Sequence, residues 1–491
     1  MSQGIVVVGL GPGDAGHLTV EAMQVLSDAT EIYLRTRRHP TVASLPPHLT
    51  LHSFDHFYEK AEAFEEVYEN IARRVLELGQ RPEGVVYAVP GHPLVGEASV
   101  HRVLALAKEA SVPVRIVAGV SFLEPVTTAL GIDPFDGLQI ADATELAARH
   151  HPNLDPDHPA LVVQLYDRDI AAQVKLTLMN LYHDDHPVTL VHAAGTPQQV
   201  VREMPLYELD RQEEIKHLSS LYIPPLESPG SLFTYQDIVA RLRAPDGCPW
   251  DQKQTHLSLR KHLLEEAYEV LAALDAQDSQ GLCEELGDLL LQVFLHAQIA
   301  TEAGEFKLID SVNSVITKLI RRHPHVFGTV HVNDADEVLR NWEEIKKEEK
   351  GGEFVSFLAG VSELLPALAL SQEMQDRAAR IGFDWDDIQG VKDKVQEELL
   401  ELEQAEGAEE RQAELGDVLF SLVNLARWLD LDAESALRGA NHRFERRFVE
   451  VEKNVSEQGR RLNDMTVDEM EEIWQEVKAQ FSRDDAENHE P

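Results

Sequence analysis

Two hydrophobic rhythms divide the chain. From residue 1 to about 225, short runs of Val and Ile alternate with amphipathic stretches of helical period. The runs predict strands at Ile5–Val8, Val85–Val89, Val114–Val117, Ala160–Leu165 and Val188–His192, with helices at Thr19–Ala29, Ala61–Leu78 and Ala98–Ala110. Alternation of this kind predicts an α/β domain built on a largely parallel sheet covered by helices. The segment Pro224-Pro225-Leu226-Glu227-Ser228-Pro229-Gly230 breaks both rhythms and reads as a linker, set at 226–234.

From Tyr235 onward the strand signal nearly vanishes and helical period takes over. Helices are predicted at His256–Ala276, Leu282–Ala303, Ile309–Arg322 and Ala335–Lys350, then, after Lys350-Gly351-Gly352-Glu353, at Glu363–Ala379, Gly390–Glu406, Arg411–Leu429, Ala433–Gln458 and Val467–Phe481. The two sets repeat each other. Leu264-Glu265-Glu266-Ala267-Tyr268-Glu269 matches Gln396-Glu397-Glu398-Leu399-Leu400-Glu401, and Glu285-Leu286-Gly287-Asp288 matches Glu414-Leu415-Gly416-Asp417. The reading is a multidomain chain: an α/β domain over 1–225, two all-α units over 235–352 and 353–482, and a polar tail over 483–491.

Charge narrows the partners. The 491 residues carry a formal net charge of −42, and the acid excess is larger beyond residue 225 than before it. Such a chain repels nucleic-acid phosphates and anionic lipid, and no apolar run is long enough to cross a membrane. Two cysteines, Cys248 and Cys283, make neither a disulfide framework nor a four-cysteine zinc site, so a reducing cytoplasm is expected.

Most of the acids belong on solvated surface; a few do not fit there. On a helical wheel Leu263, Ala267, Val270, Leu271 and Leu274 form an apolar arc, flanked by Glu265, Glu266 and Glu269. The next helix, with Leu286, Leu289, Leu290, Leu291, Val293, Phe294 and Leu295, is expected to be largely buried, yet Glu285 and Asp288 lie on one face at its start. Glu414 and Asp417 repeat the anomaly ahead of Leu419, Phe420, Leu422, Val423 and Leu425, with Asn424 two turns on. Helix-dipole stabilisation of N-terminal acids explains one such pair but poorly explains two in register. Antiparallel helices carrying Glu-Glu-x-x-Glu and Glu-x-x-Asp can aim four carboxylates at one point, an all-oxygen set suited to Mg²⁺ or Mn²⁺ and a phosphate substrate. Arg443 and Arg447 lie one turn apart, as do Lys318 and Arg322; they serve either phosphate or neighbouring acids such as Glu445 and Glu450.

These residues carry a resemblance. The stretches Asp246-Gly247-Cys248-Pro249-Trp250-Asp251, Leu264 to Val270, Glu285 to Leu289 and Arg321-Arg322-His323-Pro324-His325-Val326-Phe327 resemble the first half of MazG nucleoside triphosphate pyrophosphohydrolases; Glu414 to Asp417, Val423 to Arg427 and Ala440 to Phe448 resemble the second. The resemblance implies an all-α fold that dimerises and hydrolyses nucleoside triphosphates to monophosphate and pyrophosphate with Mg²⁺. It implies metal binding at Glu265, Glu266, Glu269, Glu285 and Asp288, and at the better supported catalytic set Glu397, Glu398, Glu401, Glu414 and Asp417. It implies nucleotide contacts at Asn424, Arg443, Arg447 and Trp474, with Lys318 and Arg322 the basic pair of the first copy.

The front domain has its own pattern. Gly9-Leu10-Gly11-Pro12-Gly13-Asp14 follows the first predicted strand, and Pro90-Gly91-His92-Pro93, Ala118-Gly119-Val120-Ser121 and Ala193-Ala194-Gly195-Thr196-Pro197 follow later ones. Pro12 and Asp14 exclude a dinucleotide fingerprint. Small-residue turns at several strand ends form a cleft for a bulky ligand. The set resembles tetrapyrrole methylases, and with the helical part it resembles YabN-type fusions. The resemblance implies S-adenosylmethionine between two α/β subdomains, held at Gly9, Gly11, Gly13, Asp14, Pro90, Gly91, His92, Gly119, Ser121, Gly195 and Thr196, and a tetrapyrrole or other methyl acceptor. His92 stands where many of these methylases carry Asp. The expectation is therefore a cytoplasmic, homodimeric pyrophosphohydrolase fused to a methylase-like domain. The rivals are a methyltransferase whose helical part only dimerises or regulates, and a ligand-sensing front domain that tunes the hydrolase.

Overall fold

The computed structural model describes residues 4–58, 64–332, 334, 337, 338, 341, 342, 345, 356–359 and 361–487. The chain forms two compact units, Met1–Ile238 and Val239–Pro491. The helix expected over 335–350, the break at 350–353 and the end of the polar tail (488–491) lie wholly or largely outside the described residues, as do residues 61–63 of the helix expected from Ala61.

The first unit holds two sheets. One is all parallel, with β1 (Ile5–Gly9), β2 (Glu31–Leu34), β3 (Thr50–Ser53), β4 (Val85–Val89) and β5 (Val114–Val117) in the order β3-β2-β4-β1-β5. Its central strands are continuous apolar runs because both faces are covered. Val85, Tyr87 and Val89 of β4 pack with Ile71 and Val75 of α2 (Phe64–Gly79) and Val103 of α3 (Ala98–Glu109). Val86 and Ala88, pointing the other way, pack with Ala22 and Leu26 of α1 (Val20–Asp28).

The second sheet contains β6 (Gln139–Asp142), β7 (Ala160–Val163), β8 (Pro187–His192), β9 (Val200–Pro205) and β10 (Ser219–Ile223), ordered β6-β7-β10-β8-β9. Only β6 and β7 are parallel; the other pairs are antiparallel. The expectation of a largely parallel sheet therefore holds for the first sheet and fails for the second. The run Ala160–Leu165 also stops early, at Val163, before Gln164 turns to a φ of 63°. One face of this sheet packs Val162, Leu190 and Leu221 on Val174 and Leu178 of α5 (Arg168–Leu178). The other packs Leu161, Val163 and Val191 on Val126 of α4 (Leu123–Leu130).

The second unit is helical. It is entered through α6 (Leu232–Arg243), which starts inside the segment read as linker: Leu232 to Thr234 are already helical. Asp157 accepts hydrogen bonds from the backbone N–H of Gly230 and Ser231 at 2.8 and 3.2 Å, which positions this start. Helices α7 (His256–Asp275) and α8 (Ser279–Ala303) form an antiparallel hairpin, as do α11 (Ile388–Gln404) and α12 (Ala408–Trp428). Between and after them lie α9 (Leu308–Arg322), α10 (Ala367–Arg380), α13 (Ala433–Glu457) and α14 (Val467–Glu487). Helix α14 runs beyond the expected Phe481 because Ser482 to Glu487 contain no Gly or Pro to stop it. The copies are tied by Arg438 of α13, whose Nε donates to Asp275 of α7 at 2.8 Å. At the entry, Arg243 makes two bonds to Glu302, at 3.0 and 2.8 Å, which anchor α6 to α8.

The expectation that α8 is largely buried is corrected. Phe294, Leu295, Ala297 and Ala300 are buried, but Leu286, Leu290 and Val293 are 45, 40 and 43 % exposed. On α9, Ile309, Val312, Val315, Ile316, Leu319 and Ile320 are all exposed. The physical reason is geometric: apolar residues surround more of these helices than the neighbouring helices of one chain cover.

Candidate metal centres and a strand-end ligand cleft

Each helical hairpin brings three carboxylates together. In the first copy Glu266 of α7 meets Glu285 and Asp288 of α8; in the second Glu398 and Glu401 of α11 meet Glu414 of α12. Within each group the carboxylate oxygens lie within 4.8 Å of one another. The antiparallel turn makes this possible. Asp278 caps α8 by accepting from the N–H of Gln280 and Gly281, and Gly407, with a φ of 95°, opens α12, so the facing acids arrive in register.

The groups repel one another. Burial first, then the charges of Asp288 and Glu269, hold the Glu266 carboxyl above its ordinary range. Glu285 is raised by burial and by Glu269 and Asp288. Glu414 is raised by burial and by Glu401, Asp417 and Glu398. Glu269 and Asp417 thus act on the clusters electrostatically without joining either triad. Glu265 and Glu397 turn elsewhere: Glu265 lies 3.4 Å from His262 Nδ1, and Glu397 lies 3.0 Å from Lys394 Nζ. An all-carboxylate set this crowded fits a hard divalent cation and fits a soft metal poorly.

The basic and polar residues expected to meet nucleotide are scattered in role. Arg443 is exposed and Arg447 half-buried on α13, and neither has an ion pair among the described residues. Lys318 is exposed on α9, while the Arg322 guanidinium stands 5.7 Å from the centre of the Trp342 ring. Asn424 Oδ1 accepts from Arg427 Nε and a terminal nitrogen at 3.0 and 2.8 Å. Trp474 is partly buried against the α13–α14 core, and its ring centre lies 5.3 Å from that of the exposed Phe444.

In the first unit the strand-end turns converge. Gly11 and Gly91 exchange backbone hydrogen bonds of 3.3 and 2.8 Å. A Cβ on Gly9 would sit 2.6 Å from the Gly91 carbonyl oxygen and 2.7 Å from the Gly119 nitrogen; one on Gly119 would sit 2.4 Å from that same oxygen. These two glycines let three loops touch. Gly91 differs: its φ is +65°, and the space where a Cβ would project is open within 4 Å. Chain connections leave neighbouring strands β1 and β4 in opposite directions, so these turns lie at a topological switch point. Gly13 brings in the second sheet, whose Thr196 methyl lies 3.2 Å from where its Cβ would be.

The polar side chains named from sequence serve the loops themselves. Asp14 accepts from the Gly16 N–H at 2.7 Å, and His92 Nδ1 from the Leu94 N–H at 3.1 Å. Ser121 donates to Glu124, and the Thr196 hydroxyl donates to the Ala193 carbonyl at 2.8 Å.

Sequence reading missed a buried polar chain beside these turns. The Tyr87 hydroxyl lies 2.7 Å from Ser99 Oγ, which donates to Glu97 at 2.7 Å, and the other Glu97 oxygen lies 3.3 Å from Arg35 Nε. His39 is pushed down to about 4 by burial and by Arg35. The available signal was Glu97 itself, an acid just ahead of the face that α3 buries through Val100, Val103 and Ala107.

Comparison with known proteins matches both halves. Residues 4–210 match the family model of tetrapyrrole (corrin/porphyrin) methylases, and residues 254–327 match the MazG nucleotide pyrophosphohydrolase domain. The Thermotoga maritima protein named nucleoside triphosphate pyrophosphohydrolase/pyrophosphatase MazG is 44 % identical over 241 residues, 49 % of this chain and 93 % of that protein. The Escherichia coli K12 nucleoside triphosphate pyrophosphohydrolase is 46 % identical over 250 residues, 50 % of this chain and 95 % of that protein. YabN of Bacillus subtilis, an uncharacterized protein, is 43 % identical over 487 residues, covering 97 % of this chain and 99 % of YabN.

Replacing Gly9 or Gly119 by Ala is expected to destabilise the α/β unit by about 2 kcal/mol or more through backbone overlap. Gly91→Ala should cost only about 1 kcal/mol, from its left-handed backbone. Urea unfolding of the three variants checks the order; an equal or larger loss for Gly91→Ala contradicts it. Matched along nearly its whole length, with both domain types in the same order, the chain belongs to the YabN family, which joins a tetrapyrrole methylase domain to a MazG helical part.

Proposed function

We propose that the helical unit is a divalent-metal-dependent nucleoside triphosphate pyrophosphohydrolase, yielding monophosphate and pyrophosphate, that clears unwanted nucleotides. The two carboxylate triads carry this reading: they share the equivalent pairs Glu266/Glu398 and Glu285/Glu414 and differ in the third acid, Asp288 in the first and Glu401 in the second. Glu266, Glu285 and Asp288, and Glu398, Glu401 and Glu414, would hold Mg²⁺ or Mn²⁺, with Glu269 and Asp417 adding negative charge at each cluster. A cation held there supplies charge stabilisation at a phosphoryl oxygen and an activated water. Arg443 and Arg447, one turn apart on α13 and without ion pairs among the described residues, suit the phosphates by their forked donors. Asn424 is held in place by Arg427, which fixes its amide orientation. Two free cysteines fit a reducing cytoplasm, and no helix among the described residues is long and apolar enough to cross a membrane.

For the front unit we propose S-adenosylmethionine binding in the strand-end cleft. The open space at Gly91 and the backbone groups of the converging turns support it. Methyl transfer needs chiefly alignment of donor and acceptor, so His92 in place of an acid does not remove the chemistry. The exposed apolar face of α9 supports a homodimer through the helical unit.

Pyrophosphate release from a panel of nucleoside triphosphates with Mg²⁺, run on the wild type, Glu414→Gln and Asp288→Asn, tests the hydrolase. Glu414→Gln is expected to lower the rate by about a hundredfold. Release by the wild type that both variants retain overturns the carboxylate assignment; no release from any triphosphate overturns the activity. Adding S-adenosylmethionine to the same assay separates a methyl donor that is consumed from a ligand that only changes the hydrolysis rate. Sedimentation is expected to give twice the 55.0 kDa chain mass, and a 55.0 kDa particle contradicts the dimer.

A further inference from the structure

The two acidic clusters are copies in sequence but not in charge. In the second, the Lys394 ammonium lies 2.7 Å from Glu398 and 3.0 Å from Glu397, one turn along the same helix. Glu398 is 6 % exposed, so this ammonium is the near counter-charge of a buried carboxylate that also belongs to the triad. The repeat places His262 at the corresponding position of the first copy, where it lies beside Glu265 and at the edge of Trp250. Among the described residues no Lys or Arg forms an ion pair with Glu266, Glu285 or Asp288.

We propose that Lys394 is a built-in counter-ion of the second cluster, so that the two copies bind divalent metal with graded affinity, the first tightly and the second weakly. The inference rests on the metal reading above. A cation entering the second triad must take Glu398 from an ammonium already on it, and the displaced charge stays within one helical turn. A cation entering the first meets carboxylates with no such competitor, and their mutual repulsion is relieved outright. Weak binding of free metal does not weaken the second copy as a catalyst. Once off Glu398, the Lys394 ammonium is a donor for an anionic phosphate, so metal and triphosphate favour one another there.

The test is Mn²⁺ binding to the full chain, followed by electron paramagnetic resonance of the free ion without nucleotide. The wild type should show two classes of site differing by about tenfold or more. Asp288→Asn should remove the tight class and Glu414→Gln the weak one. Lys394→Met, a good helix former at a partly exposed position, should tighten the weak class by about tenfold, and Lys394→Arg should leave it weak. Unchanged or weaker Mn²⁺ binding in Lys394→Met, with both classes still sensitive to Asp288→Asn and Glu414→Gln respectively, overturns the counter-ion while sparing the metal sites. Classes insensitive to both carboxylate-to-amide variants overturn the metal reading and this inference with it. Circular dichroism of each variant confirms that the helices are intact.

Discussion

Repulsion between carboxylates on facing helices is the constraint around which the helical unit is arranged. Each hairpin turn delivers three acids to within 4.8 Å of one another, and burial and neighbouring charge raise the Glu266, Glu285 and Glu414 carboxyls. A fold retains such an arrangement at a cost, because each like charge disfavours ionisation of the next. The same cost is what a divalent cation relieves. On the proposed reading, unfavourable electrostatics in the free chain and affinity for metal are one property. The second copy offsets part of it internally through Lys394, and the first does not.

The front unit meets a different constraint with a similar economy of parts. Three loops at the ends of parallel strands touch through backbone alone, because Gly9 and Gly119 leave no side chain between them and the Gly91 carbonyl. Their contact fixes the turns at the strand ends, and the left-handed Gly91 leaves its own Cβ direction open. Asp14, His92, Ser121 and Thr196 hold those turns in shape through bonds within the loops. Nearby, hydrogen bonds link Tyr87, Ser99 and Glu97, and Arg35 Nε meets Glu97 as an ion pair without a hydrogen bond.

How much of this was legible in the sequence varied with physical cause. Strands buried on both faces, such as β1 and β4, announce themselves as apolar runs. Strands β2, β3, β6, β9 and β10 do not, because edge positions and buried serines such as Ser219 and Ser220 dilute the apolar signal. The helices were readable from period, and Glu285, Asp288 and Glu414 from being out of place on apolar helices, whereas Glu266, Glu398 and Glu401 stood out only through the repeat and the resemblance. Which acids turn toward the cluster was not readable, since Glu265 and Glu397 differ from their neighbours only in the direction of one side chain. Arg427 on Asn424 and Arg35 on Glu97 were also out of reach. Each joins residues whose distance in sequence or whose rotamer gives no periodic signal.

The most direct measurement is calorimetry of Mg²⁺ binding to the full chain in buffers of different ionisation enthalpy, repeated from pH 8 down into the carboxylate range. Carboxyls raised in the folded state bind protons that the cation must displace, so binding should release protons and weaken as pH falls through that raised range. The account predicts that release, and its loss when Glu266→Gln and Glu414→Gln are combined. Mg²⁺ binding with no proton release at any pH, or no Mg²⁺ binding at pH 8, would contradict it.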